Sequence, residues 1–166
     1  MKLRLNDIKL LVYDCDGVLT NNSVYIDSNG NEFINFNRSD GMAIRLLKEY
    51  GKPQIILTSE VSANINLRSE KLGIQLFAGI KNKYNFMIEY SRINNIELSK
   101  ILFIGNDLND YGVMESVGFP ICPKDAFQEI KKLSKLVLKL NGGTGVIRDL
   151  LSHFYEYDEI IRPYKL

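Results

Sequence analysis

Apolar residues in this chain fall into short unbroken runs, separated by stretches in which they recur every three or four positions. Ile8–Asp14 (IKLLVYD) is one such run and ends in an acid. It predicts a strand buried on both faces. From Asp40 the period changes: Met42, Ala43, Leu46, Leu47 and Tyr50 share one helical face, and Gly51 stops the helix. Ile55–Thr58 predicts a second strand, Ser62–Leu72 a helix ending at Gly73, Ile74–Phe77 a short strand, and Lys83–Ile93 a helix. Ile101–Ile104 then predicts a strand, Asn109–Val117 a helix before Gly118, and Phe119–Cys122 another strand. A helix from about Asp125, a strand over Leu136–Leu140 and a last helix from about Val146 complete the pattern. Strands alternating with helices predict an α/β fold, a mainly parallel sheet flanked by helices with right-handed crossovers. In such sheets ligands bind at the carboxyl ends of the strands.

The segment 24–37 (VYIDSNGNEFINFN) breaks the alternation. Its two β-rich arms flank Asn29-Gly30, a strong hairpin signal because both residues tolerate positive φ. A lone hairpin of this length is marginal and needs a partner surface. The 166 residues contain no repeat, low-complexity tract or linker, so one domain over 1–166 is expected. A net charge of +1 offers no electrostatic case for nucleic acid or an anionic membrane. No apolar run approaches the roughly 20 residues of a membrane span. The first residues lack the features of a signal peptide. Cys15 and Cys122 lie in apolar stretches and read as buried, reduced thiols, which places the chain in the cytoplasm. With one histidine, His153, and no CxxC, a zinc finger is excluded.

The polar residues that end strands carry the chemistry. Asp14-Cys15-Asp16-Gly17 follows the first strand, and two carboxylates so placed repel unless a cation or a shared proton relieves them. Mg²⁺ fits, since it takes oxygen ligands and binds through one or two carboxylates plus phosphate. The ordinary alternative is a pair of capping acids. Gly105-Asn106-Asp107-Leu108-Asn109-Asp110 follows another apolar strand, and a parallel sheet puts both clusters on one edge. There too a helix cap by Asp107 or Asn109 is the simpler reading. Thr58 and Ser59 end the strand between them, where a hydroxyl and free N–H groups can hold a phosphate oxygen. Lys83 opens a helix, where a lysine is more often solvated.

Taken in order, DCDGVLT, Thr58, Lys83 and GNDLND resemble the four motifs of the haloacid dehalogenase (HAD) superfamily of phosphotransferases. FNRSDGMAI, Glu70–Ile74 and NGGTGVIRDLL further resemble the 3-deoxy-D-manno-octulosonate 8-phosphate phosphatases and their relatives, which act on 9-phosphates of nine-carbon sialic-type sugars. The likeness covers about residues 7–152. It implies a Rossmann-like HAD fold with a β-hairpin insert and no large cap domain. It implies Asp14 as the nucleophile, Asp16 as acid and base and as a metal ligand through its carbonyl, and Thr58 and Lys83 on the phosphoryl oxygens. The fourth motif departs from the family, with Asn106 where an acid is usual, so Asn106 or Asp107 is the expected further Mg²⁺ ligand beside Asp14 and Asp16. Asp110 is expected to orient Lys83 or a metal-bound water.

After Thr58 the octulosonate phosphatases carry Gly-Arg, whereas this chain has Ser59-Glu60. The nine-carbon phosphatases resemble it there, with Lys71 as the matching lysine. A Glu60–Lys71 pair near the sugar carboxylate, with Arg68 and Arg148 as further candidate anion contacts within the subunit or across a subunit boundary, puts the 9-phosphate of a nine-carbon 2-keto-3-deoxy acid first as substrate. The alternatives are the eight-carbon 8-phosphate and a catalytically silent HAD module used for assembly, which Asn106 alone supports. The resemblance also implies a homotetramer packed through the hairpins, with intersubunit active sites. In relatives the C-terminal segment lines a neighbouring site, so the tail 153–166, with Tyr155, Tyr157 and Tyr164, is a candidate contact.

Overall fold

A computed structural model describes residues 1–165. In chain order the elements are β1 (Leu10–Tyr13), β2 (Tyr25–Ile26), β3 (Glu32–Phe33), α1 (Arg38–Glu49), β4 (Gln54–Leu57), α2 (Ala63–Leu72), β5 (Gln75–Phe77) and α3 (Lys83–Ile93). β6 (Ile101–Ile104), α4 (Tyr111–Ser116), β7 (Phe119–Cys122), α5 (Gln128–Leu133), β8 (Leu136–Val137), α6 (Val146–Leu151) and α7 (Tyr157–Ile161) follow. Among the described residues, six strands form one parallel sheet in the order β5-β4-β1-β6-β7-β8. β1 lies at its centre, with Val12 beside Ile55 on one side and Phe103 on the other. All four of its residues are buried, as expected of a strand covered on both faces. The two apolar layers hold the faces. Leu11, Tyr13, Ile56 and Ile104 meet α1 and α6, whereas Leu10, Val12, Leu57 and Phe103 meet Met87 of α3 and Met114 of α4.

Several boundaries differ from the pattern. α1 begins at Arg38, because the Asn37 side chain accepts from Ser39 N–H and caps it. The helix expected over Asn109–Val117 is α4 alone, preceded by a tight turn over Leu108–Asp110 that Asp107 and Asp110 cap. The fifth helix starts at Gln128 rather than near Asp125. The strand expected over Leu136–Leu140 stops at Val137, just before Lys139, whose N–H donates to the Asp149 carboxylate at 2.6 Å. α7 carries little apolar periodicity, and the pattern misses it. His153 lies in the turn after α6, where its ring meets the Met1 carbonyl at 3.1 Å. Tyr155 is exposed under Arg4, Tyr157 packs on the core, and the Tyr164 hydroxyl donates to Glu49. β2 and β3 pair antiparallel as a separate hairpin, with Val24, Tyr25, Ile26 and Phe33 all more than half exposed. No helix among the described residues is long and apolar enough to cross a membrane.

Candidate active site

The site lies at the carboxyl edge of the sheet, where β1, β4 and β6 end side by side. Beyond β1 the backbone makes a wide turn over Cys15–Leu19, closed by Thr20 N–H donating to the Cys15 carbonyl at 3.0 Å. The turn needs Gly17, which has φ +82 and no room for a Cβ against the Asn106 side chain. Asp14 is buried and Asp16 half-buried, and the Thr20 hydroxyl donates to Asp16 Oδ1 at 3.0 Å. Thr20 thus holds the second acid in place, a role the motif alone does not disclose.

Lys83 is fully buried, not solvated as a helix-opening lysine usually is. Its Nζ donates to Asp14 Oδ1 and Asp110 Oδ1, both at 2.6 Å. Asp110 Oδ2 accepts from Asn106 N–H at 2.9 Å, tying the lysine to the end of β6. Burial and then Asp110 push the Asp14 carboxyl up to about 8, against the pull of Lys83. Burial draws Lys83 down, but Asp14 and Asp110 outweigh it and hold it above the ordinary lysine value. Lys83 keeps its proton, and the costly charge is the second carboxylate. A cation beside Asp14 would relieve it.

The oxygens needed to hold such a cation are present. One end of the Asn106 amide stands 2.9 Å from the Asp16 carbonyl and 3.1 Å from Asp14 Oδ2. That end either donates N–H to both oxygens or presents its own oxygen to a cation shared with them. Among the described residues no three His, Cys, Asp or Glu side chains cluster as a metal site. The donors here are one carboxylate, one carbonyl and one amide, a set that fits a hard divalent ion bound partly through water and phosphate. Asp107 is exposed at the rim, where its side chain accepts from Leu108 N–H at 2.7 Å.

Thr58 ends β4 and is buried, and its Oγ1 accepts from Glu60 N–H at 3.1 Å. The hydroxyl proton is left to donate into the pocket. That pocket, a cavity of about 360 Å³, is lined by Asp14, Asp16, Thr58, Ser59, Asn106 and Asp107, with Asn22, Glu60 and Asn109 at its mouth. Asn22 has φ +63 and lines the cavity without any motif to mark it. The other expected substrate contacts lie elsewhere in this protomer. Arg68 and Lys71 line a separate groove between α1 and α2, and Arg148 lines another beside α7. Arg68 instead donates to the Asn37 carbonyl at 3.1 Å and lies over the Phe36 ring. The expected Glu60–Lys71 pair does not form: both residues are exposed and line different pockets, because Lys71 sits at the far end of α2.

A family model described as haloacid dehalogenase-like hydrolase matches residues 3–150. The chain belongs to this family. The hydrolase is 30% identical over 148 residues to the 3-deoxy-D-manno-octulosonate 8-phosphate phosphatase of Escherichia coli (strain K12), covering 89% of this chain and 79% of the relative. It superposes with a TM-score of 0.91 on the phosphatase of that name from Moraxella catarrhalis, solved in complex with a magnesium ion, a phosphate ion and a KDO molecule. That match has 28% identity and covers 97% of this chain and 95% of that one. The Yersinia pestis phosphatase of the same name gives 0.85, at 29% identity, over 96% of this chain and 83% of the other. The assembled residues are those of a phosphoric monoester hydrolase of the family.

Proposed function

We propose that this hydrolase is a Mg²⁺-dependent phosphatase of 2-keto-3-deoxy sugar acid phosphates, with 3-deoxy-D-manno-octulosonate 8-phosphate as its first substrate. The observation that carries the reading is the Asp14–Lys83–Asp110 cluster beside the converging oxygens of Asp14, Asp16 and Asn106. Mg²⁺, held by Asp14, the Asp16 carbonyl and Asn106, would offset negative charge on the phosphoryl group. A carboxylate oxygen of Asp14 attacks phosphorus, and the bond from phosphorus to the sugar oxygen breaks. Asp16 gives its proton to that leaving oxygen. Asp16 then takes a proton from water, whose oxygen attacks the aspartyl-phosphate and releases phosphate and free Asp14. Lys83 and Thr58 hold the phosphoryl oxygens, and Lys83 lets an anionic nucleophile meet an anionic substrate.

The named relatives support the eight-carbon substrate over the nine-carbon one, whose case rested on the unformed Glu60–Lys71 pair. Glu60 at the pocket mouth, where the eight-carbon enzymes carry a cation, keeps the nine-carbon acid as the second reading. Intact Asp14, Asp16, Thr58 and Lys83 count against a silent module. The free, buried Cys15 and Cys122 suit a reducing compartment, and we place the reaction in the cytoplasm. The exposed apolar hairpin supports assembly into a homotetramer in which a neighbour covers the open pocket. Phosphate release from the two sugar acid phosphates, with Mg²⁺ and with chelator, tests the reading. The eight-carbon substrate should give the higher kcat/KM, and a tenfold preference for the nine-carbon one would reverse the assignment.

A further inference from the structure

Asp40 is a buried carboxylate on α1 that the chemistry above does not use. Its Oδ1 accepts from Ile147 N–H at 2.7 Å and Arg148 N–H at 3.1 Å, in the first turn of α6. Its Oδ2 is buried with no partner. The charged or titratable groups that bear on it are Arg68 from α2 and the Tyr13 hydroxyl of β1, beside the backbone N–H groups of α6. A half-satisfied carboxylate is a poor choice for stability alone, since burying charge is costly unless it is fully paired.

What α6 carries explains the choice. The loop leading into it, Gly142–Gly145, lies against the Cys15–Leu19 turn. Gly143 N–H donates to the Val18 carbonyl at 2.9 Å. A Cβ at Gly142 would run into the Gly17 carbonyl, and one at Gly143 into the backbone at Thr20 and Asn21. Asp125 takes Gly142 N–H at 2.9 Å and pins the other end of the loop. The chain of contact therefore runs from Asp40 through the first turn of α6 and two glycines to the backbone that aims Asp14 and Asp16.

We propose that Asp40 is a positioning residue for the Asp14–Thr20 turn, acting through α6 and the Gly142–Gly145 loop in its ionised form. The proposal rests on the phosphatase reading of that turn. A carboxylate makes hydrogen bonds to backbone N–H groups roughly twice as strong as a neutral acceptor does. Its charge is held at a cost: burial raises Asp40 to about 6, against the pull of the α6 N–H groups and Arg68. A carboxyl raised on folding favours the fold below its unfolded value, and that contribution is lost as pH rises through about 6. Near neutrality the charge costs stability, and its return is a fixed loop.

Asp40→Asn keeps the shape and one acceptor but removes the charge. It should lower kcat for p-nitrophenyl phosphate several-fold, and Asp40→Ala by about tenfold, since small displacements of reacting groups are expensive. The midpoint of thermal unfolding of Asp40→Asn at pH 7 should equal or exceed that of the wild type. Hydrogen exchange gives a readout independent of turnover. The protection factor of the Gly143 amide should fall in the wild type between pH 7 and pH 5, and should be low and flat in Asp40→Asn. Unchanged kcat and unchanged Gly143 protection in Asp40→Asn would overturn the proposal, as would a lowered midpoint with protection lost uniformly across the sheet. If Asp40→Ala does not fold, Asp40→Asn decides alone. A wild type that releases no phosphate from any phosphoester sinks the phosphatase reading instead, and Gly143 protection still tests the coupling.

Discussion

The lysine at the start of α3 decides much at the scale of single residues. One ammonium serves two carboxylates that are themselves buried. Lys83→Gln leaves Asp14 and Asp110 facing each other without it, and breaking a buried pair in this way costs about 3–5 kcal/mol. Urea unfolding at pH 7 should show that loss, and an Asp110→Asn change added to it should recover part. Asp14→Asn removes the proposed nucleophile and leaves Thr58 and Lys83 in place. Turnover should fall below about 1% of wild type, because an amide cannot form the covalent intermediate. Retention of a tenth of the activity would assign the attack to another group. Asn106 is neutral, so Asn106→Asp adds a charge to the oxygens around Asp14. The Mg²⁺ concentration for half-maximal activity should drop by about tenfold, following ligand charge. A rise would show that Asn106 does not face the ion.

At the scale of elements, the sequence pattern locates the site better than it bounds the pieces. Unbroken apolar runs mark β1, β6 and β7 because strands buried on both faces admit nothing else. The polar residues just beyond β1, β4 and β6 meet because parallel strands share a carboxyl edge. Boundaries escape where a side chain intervenes, as Asn37 does at α1 and Asp149 beyond β8, since such bonds depend on what the fold brings near. Thr20 and Asn22 escape for the same reason, and the Glu60–Lys71 pairing fails because likeness in sequence does not state a distance. One glycine tests packing away from the site. A Cβ at Gly118 would collide with the Ser99 carbonyl where α4 gives way to β7. Gly118→Ala should lower stability by about 1–3 kcal/mol, as overpacking does. Its kcat at 25 °C should match the wild type, and a lost kcat would tie this corner to the pocket.

Across the whole molecule, the hairpin is the surface that needs an explanation. Val24, Tyr25, Ile26 and Phe33 present apolar side chains to solvent beside a pocket with no cap of its own. Light scattering at micromolar concentration should give four times the mass of the chain. Ile26→Asp with Phe33→Ser should shift it to smaller species. If neighbours cover the pocket, that double variant should lose kcat/KM for the sugar acid phosphate and keep it for p-nitrophenyl phosphate. A monomeric wild type would leave the hairpin without a role.

The place of β1 at the centre of the sheet also governs when the enzyme can come into being. Its two neighbours arrive 43 and 91 residues later, as Val12 pairs with Ile55 and Leu10 with Ile101. Long-range parallel pairing of this kind is slow, because the closing chain entropy is spent before the contacts form. On the ribosome Asp14, the proposed nucleophile, is therefore made long before β6 arrives to flank its strand. A chain halted before residue 101 holds Asp14, Thr58 and Lys83 but has no β6 to seat Asn106 and Asp110. On the proposed mechanism, turnover waits until β6 has docked against β1 and brought Asn106 and Asp110 to Asp14 and Lys83.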